Sequence, residues 1–307
     1  MKLEPKKYGT VGVLLGGPSA EREISLKSGR AISRALRELG ITVIEIGEHE
    51  GIRDGVRAHE LDLAFIALHG RFGEDGQVQA FLEELNIPYT GSGVRASRQA
   101  MDKGLSCQVF KSAELTIPEC RVYEGGDNPS SPPFPLPVVV KPAREGSSIG
   151  LSLVREPGQF MPALARARQN DNKIVVEKYI PGRELTVSIL DGQALPVIEI
   201  VPHNPFFDYE AKYVKGRSEF IVPADLPEKV YREAQRIGLA AHQALGCYAY
   251  SRADIILGKD GGMYLLEVNS IPGFTATSLL PQAARAAGID FPDLCLKLLD
   301  LARTRVK

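Results

Sequence analysis

The chain has 307 residues, 44% hydrophobic and 24% charged, which is ordinary for a globular protein and long enough for two or three domains. Its 37 basic and 38 acidic residues nearly balance, so neither a nucleic-acid surface nor a membrane surface is predicted. The four cysteines are scattered without a C-x-x-C pair, which argues against a zinc site or a disulfide framework and predicts a cytoplasmic protein. No segment approaches about 20 apolar residues, so no membrane span is expected.

Predicted strands and helices alternate over the first hundred residues. The strands are predicted at TVGVLL (10–15), ITVIEI (41–46) and LDLAFIAL (61–68). One helix is predicted from after GGPSAERE to about Leu39, and another over QVQAFLEELN (77–86). This alternation predicts a parallel α/β sheet in an N-terminal domain of residues 1–100.

The rest of the chain reads as short β-segments with a few helices. A helix is predicted over 101–114 and another over 227–245, and the proline-rich stretch 124–137 is predicted to be irregular. The segment 202–220 is a long irregular loop, which in a compact domain is typical of a functional segment. The strands are predicted at 138–141, 173–179, 184–190, 194–201, 251–257 and around 265–269, with a hairpin turn at Asp191-Gly192.

A carboxylate stands inside the apolar segment LLEVNSIPGFT (265–275). Glu267 and Asn269 are two residues apart in a predicted strand, so their side chains point to the same face. The preceding strand SRADIIL carries Arg252 and Asp254, and the GKDGG turn makes the two strands an antiparallel hairpin. Hard oxygen donors meeting on neighbouring strands suit Mg²⁺. A structural ion pair between Asp254 or Glu267 and an arginine is the alternative.

Two further segments have the composition of a nucleotide site. KPAREGSSIG (141–150) follows a strand and offers Lys141 and backbone N–H groups to phosphates, although it is not a Walker A loop. We interpret it as a strand–loop–strand flap, with an ordinary hairpin as the alternative. VVEKYIPGRE (175–184) leaves a strand edge that can face a flat base, with Glu184 placed to reach sugar hydroxyls. Solvated charges on a surface strand are the alternative there.

The first β→α turn, LLGGPSAERE (14–23), lacks the G-x-G-x-x-G spacing of a dinucleotide site. A helix amino terminus favours anions, and Glu21 could serve only as a helix cap. His69 in ALHGRFGEDG could likewise be a structural histidine. Taken alone, these two residues do not identify a function.

The ordered set of motifs resembles the D-alanine–D-alanine ligases of the ATP-grasp superfamily. The resemblance runs from residue 10 to about 282 through LLGGPSAEREIS, ALHGRFGEDG, PYTGSGV, MDK, VVVKPAREGSSIG, VEKYIPGRELTV, FFDYEAKY, RADIIL and LLEVNSIPGFT. It implies an N-terminal α/β domain that precedes a two-lobed ATP-grasp fold, with a central lobe at 101–186 and a C-terminal lobe at 187–307. It also implies ATP-dependent joining of two D-alanine molecules through D-alanyl phosphate, for peptidoglycan precursors.

The resemblance also implies roles for individual residues. Two Mg²⁺ ions, which Mn²⁺ can replace, would be held by Asp254, Glu267 and Asn269. ATP would be bound by Lys103, Lys141, Glu177, Lys178, Ile180 and Glu184. The catalytic set would be Glu21, Ser147, Tyr213, Arg252 and Gly273, of which Glu21 holds the first ammonium group and Arg252 with the Gly273 N–H holds the oxyanion. The remaining substrate contacts would be His69, Lys212 and Ser278, and a homodimer is the family expectation.

The chain departs from the family pattern at Ser251, where many members have glycine, at Thr277, where histidine is common, and in the proline-rich stretch 124–137. Three alternatives stay open: an L-amino-acid dipeptide ligase, a depsipeptide ligase that joins D-alanine to D-lactate, and a non-catalytic nucleotide-binding regulator. The Lys212-Tyr213 pair argues against the first two, and the intact acidic set with Arg252 argues against the third.

Overall fold

The computed structural model describes residues 4–47, 51–202 and 218–305. In this part of the chain the strands form three sheets, here called the N-terminal, central and C-terminal sheets. The strands are β1 Thr10–Leu14, β2 Thr42–Ile46, β3 Leu63–Ile66, β4 Cys120–Tyr123, β5 Val138–Pro142, β6 Ser152–Val154, β7 Ile174–Lys178, β8 Gly182–Leu190, β9 Gln193–Ala194, β10 Ile198–Pro202, β11 Ser218–Ile221, β12 Tyr250–Gly258 and β13 Met263–Asn269.

Helices cover the sheets. They are α1 Arg22–Glu38, α2 Ile52–Ala58, α3 Gln77–Glu84, α4 Val94–Met101, α5 Lys103–Ser112, α6 Phe160–Arg168, α7 Glu228–Ala244, α8 Leu279–Ala286 and α9 Phe291–Thr304, with single 3₁₀ turns at Pro5–Tyr8 and Pro157–Gln159. Within the described residues, no helix is long and apolar enough to cross a membrane.

The N-terminal sheet is parallel, with strand order β2-β1-β3, as the alternating pattern predicts. Side chains of β1 alternate between two cores, because successive residues of a strand face opposite sides. Val11 and Val13 pack with α1 and the C-terminal helix α9, whereas Leu14 packs with α2 and α3. The sheet is therefore covered on both faces, and its carboxyl edge carries the loops that contain Glu21 and His69.

The central sheet has the order β4-β7-β5-β6 and is antiparallel, with α6 packed on its core. The C-terminal sheet has the order β11-β10-β8-β12-β13, with β9 paired to β8, and is also antiparallel. Helix α7 covers one face of the C-terminal sheet. A Cβ at Gly238 would lie 2.9 Å from Val187, so the close approach of helix and strand requires glycine at that position.

Three predicted elements differ from the structure. The helix predicted at 101–114 is α5, which begins only at Lys103, because the Asp102 side chain accepts hydrogen bonds from the backbone of Gly104 (2.9 Å) and Leu105 (3.1 Å) and caps it. The preceding helix α4 was not predicted. The strand predicted at 194–201 is interrupted and becomes β9 and β10. Residues 203–217 of the predicted loop lie outside the described residues, and its end is strand β11, paired with β10.

The predicted hairpin turn is confirmed. Asp191 and Gly192 both have positive φ, 52° and 70°, which is the geometry that a two-residue hairpin turn needs. Strand β8 continues through the predicted domain boundary at residues 186 and 187 and pairs along its full length with β12. The division of the chain into three domains stays a prediction.

Candidate active site

A cavity of about 330 Å³ lies between the central sheet and the C-terminal sheet. Strands β5 and β7 supply one wall, and β8, β12 and β13 supply the other. The lining includes all six residues that the sequence predicts for ATP, namely Lys103, Lys141, Glu177, Lys178, Ile180 and Glu184. The cavity therefore brings together side chains from both predicted ATP-grasp lobes.

The lysines of this cavity are held by carboxylates. Lys141 Nζ lies 2.8 Å from Glu177 Oε2, and both side chains are buried. Burial lowers the pKa of Lys141, but the nearby charges of Glu177 and Glu267 outweigh it and the pKa is raised overall. Lys103 Nζ donates to the carbonyl of Glu145 at 2.8 Å and lies 3.3 Å from Glu267 Oε2. These cations are buried or half-buried within the cavity wall, where a polyanion would be attracted strongly.

Lys178 differs from the other two lysines. Its side chain is 47% exposed and lies 3.4 Å from Glu119 at the rim of the cavity. A contact of this kind between exposed charges contributes little to stability. Lys178 is therefore available to a ligand at the rim, while its backbone continues the edge of β7.

The acidic residues meet as predicted on two adjacent antiparallel strands. Asp254 on β12 is directly opposite Glu267 on β13, and Arg252 is opposite Asn269. A β-bulge between Asp254 and Ile255 leaves one extra residue on β13. As a result Leu266 and Glu267, although adjacent in sequence, both line the cavity.

Asp254 is an ion-pair partner in this structure. Arg252 Nε donates to Asp254 Oδ1 at 2.8 Å and Arg252 Nη2 donates to Oδ2 at 2.7 Å, while Thr186 Oγ1 donates to Oδ1 at 2.8 Å. The structural ion pair considered as the alternative is thus present at Asp254. Glu267 instead faces a lysine, Lys103.

The donor set fits a divalent cation that is shared with a phosphate ligand. The described residues contain no cluster of three or more His, Cys, Asp or Glu side chains that could hold a metal ion. Asp254, Glu267 and Asn269 supply two carboxylates and one amide oxygen, and the amide accepts from the backbone of Ile271 at 2.9 Å. Hard oxygen donors of this number are typical of Mg²⁺ sites that are completed by phosphate oxygens and water.

A second group of residues lies where the N-terminal sheet meets the flap at 144–150. Ser147 Oγ donates to Glu21 Oε1 across 126 positions of sequence. The backbone approaches the same carboxylate closely, since a Cβ at Gly146 would lie 2.7 Å from Glu21 Oε2. Glu21 occupies the N-cap position of α1, but its side chain makes no capping bond. Its side chain is directed to the flap.

The flap itself is strained. Ser147 and Ser148 have φ values of 51° and 60°, a left-handed conformation that non-glycine residues rarely adopt. Arg71 helps to hold the flap, because its guanidinium contacts Glu145 Oε1 at 2.9 Å and the carbonyl of Asn170 at 2.8 Å. Strained residues held in this way cluster at functional sites.

His69 is buried between α1 and the loop after β13. One ring nitrogen lies 3.1 Å from the carbonyl of Ile271, and the other lies 3.3 Å from Ser28 Oγ. Ser28 Oγ in turn accepts from the backbone of Phe274 at 3.2 Å. Burial lowers the pKa of His69, although Glu21 opposes that effect. His69 therefore links the amino-terminal loops to the segment that carries Gly273.

Glu74 is a candidate that the sequence reasoning missed. Its carboxyl group accepts from the backbone of Gly70 at 2.6 Å, and a Cβ built on Gly70 would lie 3.0 Å from Glu21 Oε2, so both acidic side chains are close to Gly70. Burial raises the pKa of Glu74 well above its ordinary value, and the Glu21 charge raises it further. The available signal was the first acidic residue in HGRFGEDG, in the loop that follows a buried strand.

The remaining predicted residues lie beyond β13. Ser278 precedes α8, and its Oγ accepts from the backbone of Thr275 at 3.0 Å. A Cβ at Gly273 would lie 3.1 Å from the same oxygen, so these two residues are close together. Lys212 and Tyr213, which were predicted to complete the site, lie outside the described residues.

Family models match most of the chain. The model described as "D-ala D-ala ligase C-terminus" matches residues 130–300, and the model described as "D-ala D-ala ligase N-terminus" matches residues 45–92. The first of these covers most of the cavity lining, the flap and the acidic strands.

Similar proteins and a solved structure support the same assignment. The chain is 47% identical to a D-alanine--D-alanine ligase from Geotalea uraniireducens, covering 100% of this chain and 99% of that protein. It is 48% identical to one from Citrifermentans bemidjiense, with 100% of each covered. The crystal structure of the Bacillus anthracis D-alanine--D-alanine ligase complexed with ATP is similar with a TM-score of 0.84 and 32% identity, covering 96% of this chain and 97% of that chain.

Each of these matches spans nearly the whole chain, and the solved structure confirms the predicted combination of an α/β domain with an ATP-grasp fold. The chain belongs to the D-alanine–D-alanine ligase family.

Proposed function

We propose that this chain is a ligase that joins two D-alanine molecules with cleavage of ATP to ADP and phosphate. The γ-phosphoryl group of ATP is transferred to the carboxylate of the first D-alanine, which gives D-alanyl phosphate and ADP. The amine of the second D-alanine, after loss of a proton, attacks the acyl carbon, and phosphate leaves. The product, D-alanyl-D-alanine, serves as a peptidoglycan precursor. The proposal is supported by full-length similarity to proteins named for this activity.

The hydrogen bond from Ser147 to Glu21 is the observation that carries this function. It joins the flap over the nucleotide cavity to the loop of the N-terminal sheet. Closure of the flap and formation of an amino-acid pocket therefore depend on the same contact. A bound amino acid at Glu21 would lie beside the flap, next to the cavity that contains the lysines.

In the proposed mechanism, Glu21 receives the ammonium group of the first D-alanine, and His69 supports the loop beside it. The second substrate's carboxylate is received by Ser278, together with Lys212. Arg252 and the Gly273 N–H stabilise the negative oxygen of the tetrahedral intermediate. Holding both substrates in fixed positions removes much of the entropic cost of a reaction between two molecules.

ATP is held in the cavity, with Glu177 and the backbone near Ile180 at the base and Glu184 at the ribose. Lys103, Lys141 and Lys178 neutralise phosphate charge, because transfer of the γ-phosphoryl group concentrates negative charge on its oxygens. Asp254, Glu267 and Asn269 would hold two Mg²⁺ or Mn²⁺ ions, which would polarise the phosphoryl oxygens. Arg252 then has two roles: it holds the Asp254 carboxylate in place and it stabilises the oxyanion.

D-alanyl phosphate reacts readily with water, so the site must exclude water during the reaction. The flap at 144–150 is one candidate lid. The predicted lid 203–220, including Tyr213, is the other, and most of it lies outside the described residues. Tyr213 would join the Ser147–Glu21 contact when the lid closes.

Phosphate release tests the proposal. The purified protein is given ATP and Mg²⁺ with D-alanine, with L-alanine or with no amino acid, and the products are separated by chromatography. We expect release that depends on D-alanine and a dipeptide product. Release with L-alanine would favour the L-amino-acid ligase, and nucleotide binding without release would favour the regulator.

The depsipeptide alternative is tested by supplying D-lactate beside D-alanine. We expect mainly dipeptide across pH 6–9. Dominant ester at pH 7 would overturn the proposed specificity, and an unchanged product ratio in Tyr213→Phe would exclude Tyr213 from acceptor selection.

The metal assignment has its own test. Glu267→Gln should lower turnover by orders of magnitude while the circular dichroism spectrum stays unchanged, because the amide removes the charge and keeps the shape. Direct titration with Mn²⁺ in the presence of ADP, followed by electron paramagnetic resonance, should show weaker metal binding in the variant. Near-normal phosphate release at moderate Mg²⁺ would contradict the assignment.

We further propose the three-domain division at residues 100 and 186, a cytoplasmic location and a homodimer. The division is supported by the three sheets, and the location by the four free cysteines. Analytical ultracentrifugation tests the dimer.

A further inference from the structure

Arg71 joins the N-terminal part of the chain to two separate segments of the central part. It lies two residues after His69, in the loop that follows β3. Its Nε and Nη2 donate to Glu145 Oε1 at 3.2 Å and 2.9 Å, and Nη2 also donates to the carbonyl of Asn170 at 2.8 Å. One guanidinium therefore holds the beginning of the flap and the turn after α6 at the same time.

The flap and this turn are themselves joined by Asp171. The Asp171 side chain is 3% exposed, and its carboxylate accepts from the backbone of Arg144 at 2.9 Å, from Arg144 Nε at 3.0 Å and from the backbone of Lys173 at 3.1 Å. The other end of the flap is also close to the turn, because a Cβ at Gly150 would lie 2.7 Å from Asn170 Nδ2. Charge-assisted hydrogen bonds of this number fix their donors firmly, so we expect the flap and the turn to move as one body.

Glu145 is joined to the nucleotide cavity through its backbone. Its carbonyl accepts from Lys103 Nζ at 2.8 Å, and the same Nζ lies 3.3 Å from Glu267 Oε2. Both Glu145 and Lys103 line the cavity. A displacement of Glu145 therefore moves the acceptor of a lysine that is proposed to bind phosphate.

Arg71 also lies close to the proposed amino-acid pocket. The residue before it, Gly70, is so near to Glu21 that a Cβ there would lie 3.0 Å from Glu21 Oε2. The hydrogen bond from Ser147 to Glu21 is another contact between this region and the flap. Closure of the flap over an amino acid at Glu21 and formation of the Arg71 contacts thus bring together the same two parts of the molecule.

We propose that Arg71 is a positioning residue that couples the amino-acid pocket to the nucleotide site through Glu145, an inference that rests on the proposed D-alanine ligase function. With Arg71 in place, the flap that closes over D-alanine also holds the Glu145 carbonyl, and with it Lys103, in a position that suits the phosphates of ATP. Each ligand then raises the affinity for the other by the same factor, because coupling between two binding sites is reciprocal.

The contact is suited to coupling rather than to stability. The Arg71 side chain is 60% exposed, whereas that of Glu145 is 16% exposed. An ion pair with an exposed partner contributes little to the free energy of unfolding. We therefore expect Arg71→Ala to unfold at the same urea concentration as the wild type. A change in ligand coupling in this variant would then not come from a loss of folded protein.

Coupling is measured by calorimetry on the full-length protein. A non-hydrolysable ATP analogue is titrated with Mg²⁺, once without D-alanine and once with saturating D-alanine, and the ratio of the two affinities is the coupling factor. In the wild type we expect D-alanine to tighten binding of the analogue. In Arg71→Ala the coupling factor should be about three- to tenfold smaller. A coupling factor of one in the wild type, or an unchanged factor in the variant, overturns the proposal.

Further variants separate the coupling from a general effect of charge. Arg37→Ala is the matched control, because Arg37 is also half exposed, pairs with Glu45 at 2.7 Å and donates to the carbonyl of Val43 at the carboxyl end of α1. It should keep the wild-type factor. Arg71→Lys should restore only part of the factor, because an ammonium group lacks the fork that reaches both partners. Glu145→Gln keeps the backbone carbonyl and should lower the factor, and adding Arg71→Ala to it should lower the factor no further.

Hydrogen exchange of the ligand-free protein tests the contact without either substrate. The backbone N–H groups of Ile149 and Leu151 are hydrogen-bonded at 3.0 Å and 3.2 Å to carbonyls of the flap, so their exchange reports its opening. Arg71→Ala should speed this exchange several-fold, and Arg37→Ala should not. Unchanged exchange overturns the anchoring by Arg71. If the wild type binds no D-alanine, the ligase proposal fails, while the exchange result still decides whether Arg71 holds the flap.

Discussion

Arg252 has a bidentate contact with Asp254, and the family resemblance assigns it to the oxyanion. Its side chain is 15% exposed, so its charge is screened mainly by protein groups. A charge in such a position acts strongly on a developing negative oxygen, because the surroundings reorganise little during the reaction.

Arg252→Ala should therefore lower kcat by about two to three orders of magnitude, or roughly 3 kcal/mol of transition-state stabilisation. The KM for ATP should change less, since Lys103 and Lys141 stay in place. Steady-state phosphate release against ATP concentration measures both quantities. Arg236→Ala, on the exposed face of α7, is the control. Poor ATP binding with normal turnover at saturation would assign Arg252 to the nucleotide instead.

At the scale of elements, the packing of α7 on β12 accounts for one departure from the family pattern. Ser251 is fully buried, and its Oγ lies 2.7 Å from Nδ1 of His242 on α7. A glycine at this position could not make that contact. Burial lowers the pKa of His242 to about 4, so the imidazole is neutral in the folded protein.

This buried histidine predicts acid sensitivity. The folded-state pKa lies below the ordinary value of 6.5, so the unfolded chain binds the proton first. The contribution of neutral His242 to the free energy of unfolding is fully present above pH 6.5 and is lost as the pH falls toward 4. This contribution is on the order of 3 kcal/mol. Urea unfolding at pH 7, 5.5 and 4.5 should show a falling free energy of unfolding. His242→Gln should make that free energy depend less on pH. His59→Gln, at an exposed position, should leave it unchanged.

Elements that are buried on both faces were predictable from sequence. Strands β1 and β3 are continuous apolar runs. A run of this kind is typical of a strand in a sheet that is covered on both faces. Strand β4 was missed because CRVY is short and carries a charge, and α6 was missed because Pro162 lies within its first turn. Short elements of this kind are selected by tertiary packing rather than by their own pattern.

The features of the site also divide into those that the sequence predicts and those that only the complete fold determines. Same-face placement of Glu267 and Asn269 follows from the period of a strand, and the hairpin pairing of Asp254 with Glu267 follows from the short turn. Two other features cannot be predicted from the sequence: the bulge that brings Leu266 into the cavity, and the contact between Arg71 and Glu145. Both join segments whose relative positions are set only by the complete fold. Glu74 was missed for a related reason. It is a candidate because its carboxyl group lies close to that of Glu21 near Gly70, and the sequence alone does not bring these two loops together.

At the scale of the whole molecule, the cavity joins two sheets that each have a separate hydrophobic core. A ligand that contacts both walls stabilises the folded chain by mass action, by about 2.7 kcal/mol at a concentration one hundred times its Kd. Since Lys141 is buried in one wall and Glu184 lies in the other, ATP should stabilise both cores together.

Thermal unfolding with and without ATP and Mg²⁺ checks this expectation. The wild type should show a higher Tm at saturating ATP, as one cooperative transition. Lys141→Met should lose most of that shift, because a buried cation is removed from the wall, whereas Lys229→Met on the exposed face of α7 should keep it. Two separate transitions with ATP bound would contradict the coupling of the cores.

The raised pKa of Glu74 has a calorimetric consequence. Burial and the charge of Glu21 raise the pKa of Glu74 well above its ordinary value and so favour its protonated form. An ammonium group placed at Glu21 favours ionisation of Glu74, so binding of D-alanine should release a proton to the buffer. The measured heat of binding should then differ between phosphate and Tris, whose ionisation enthalpies differ, and the difference should disappear in Glu74→Gln. Equal heats in the wild type would mean that Glu74 is already charged before the substrate arrives.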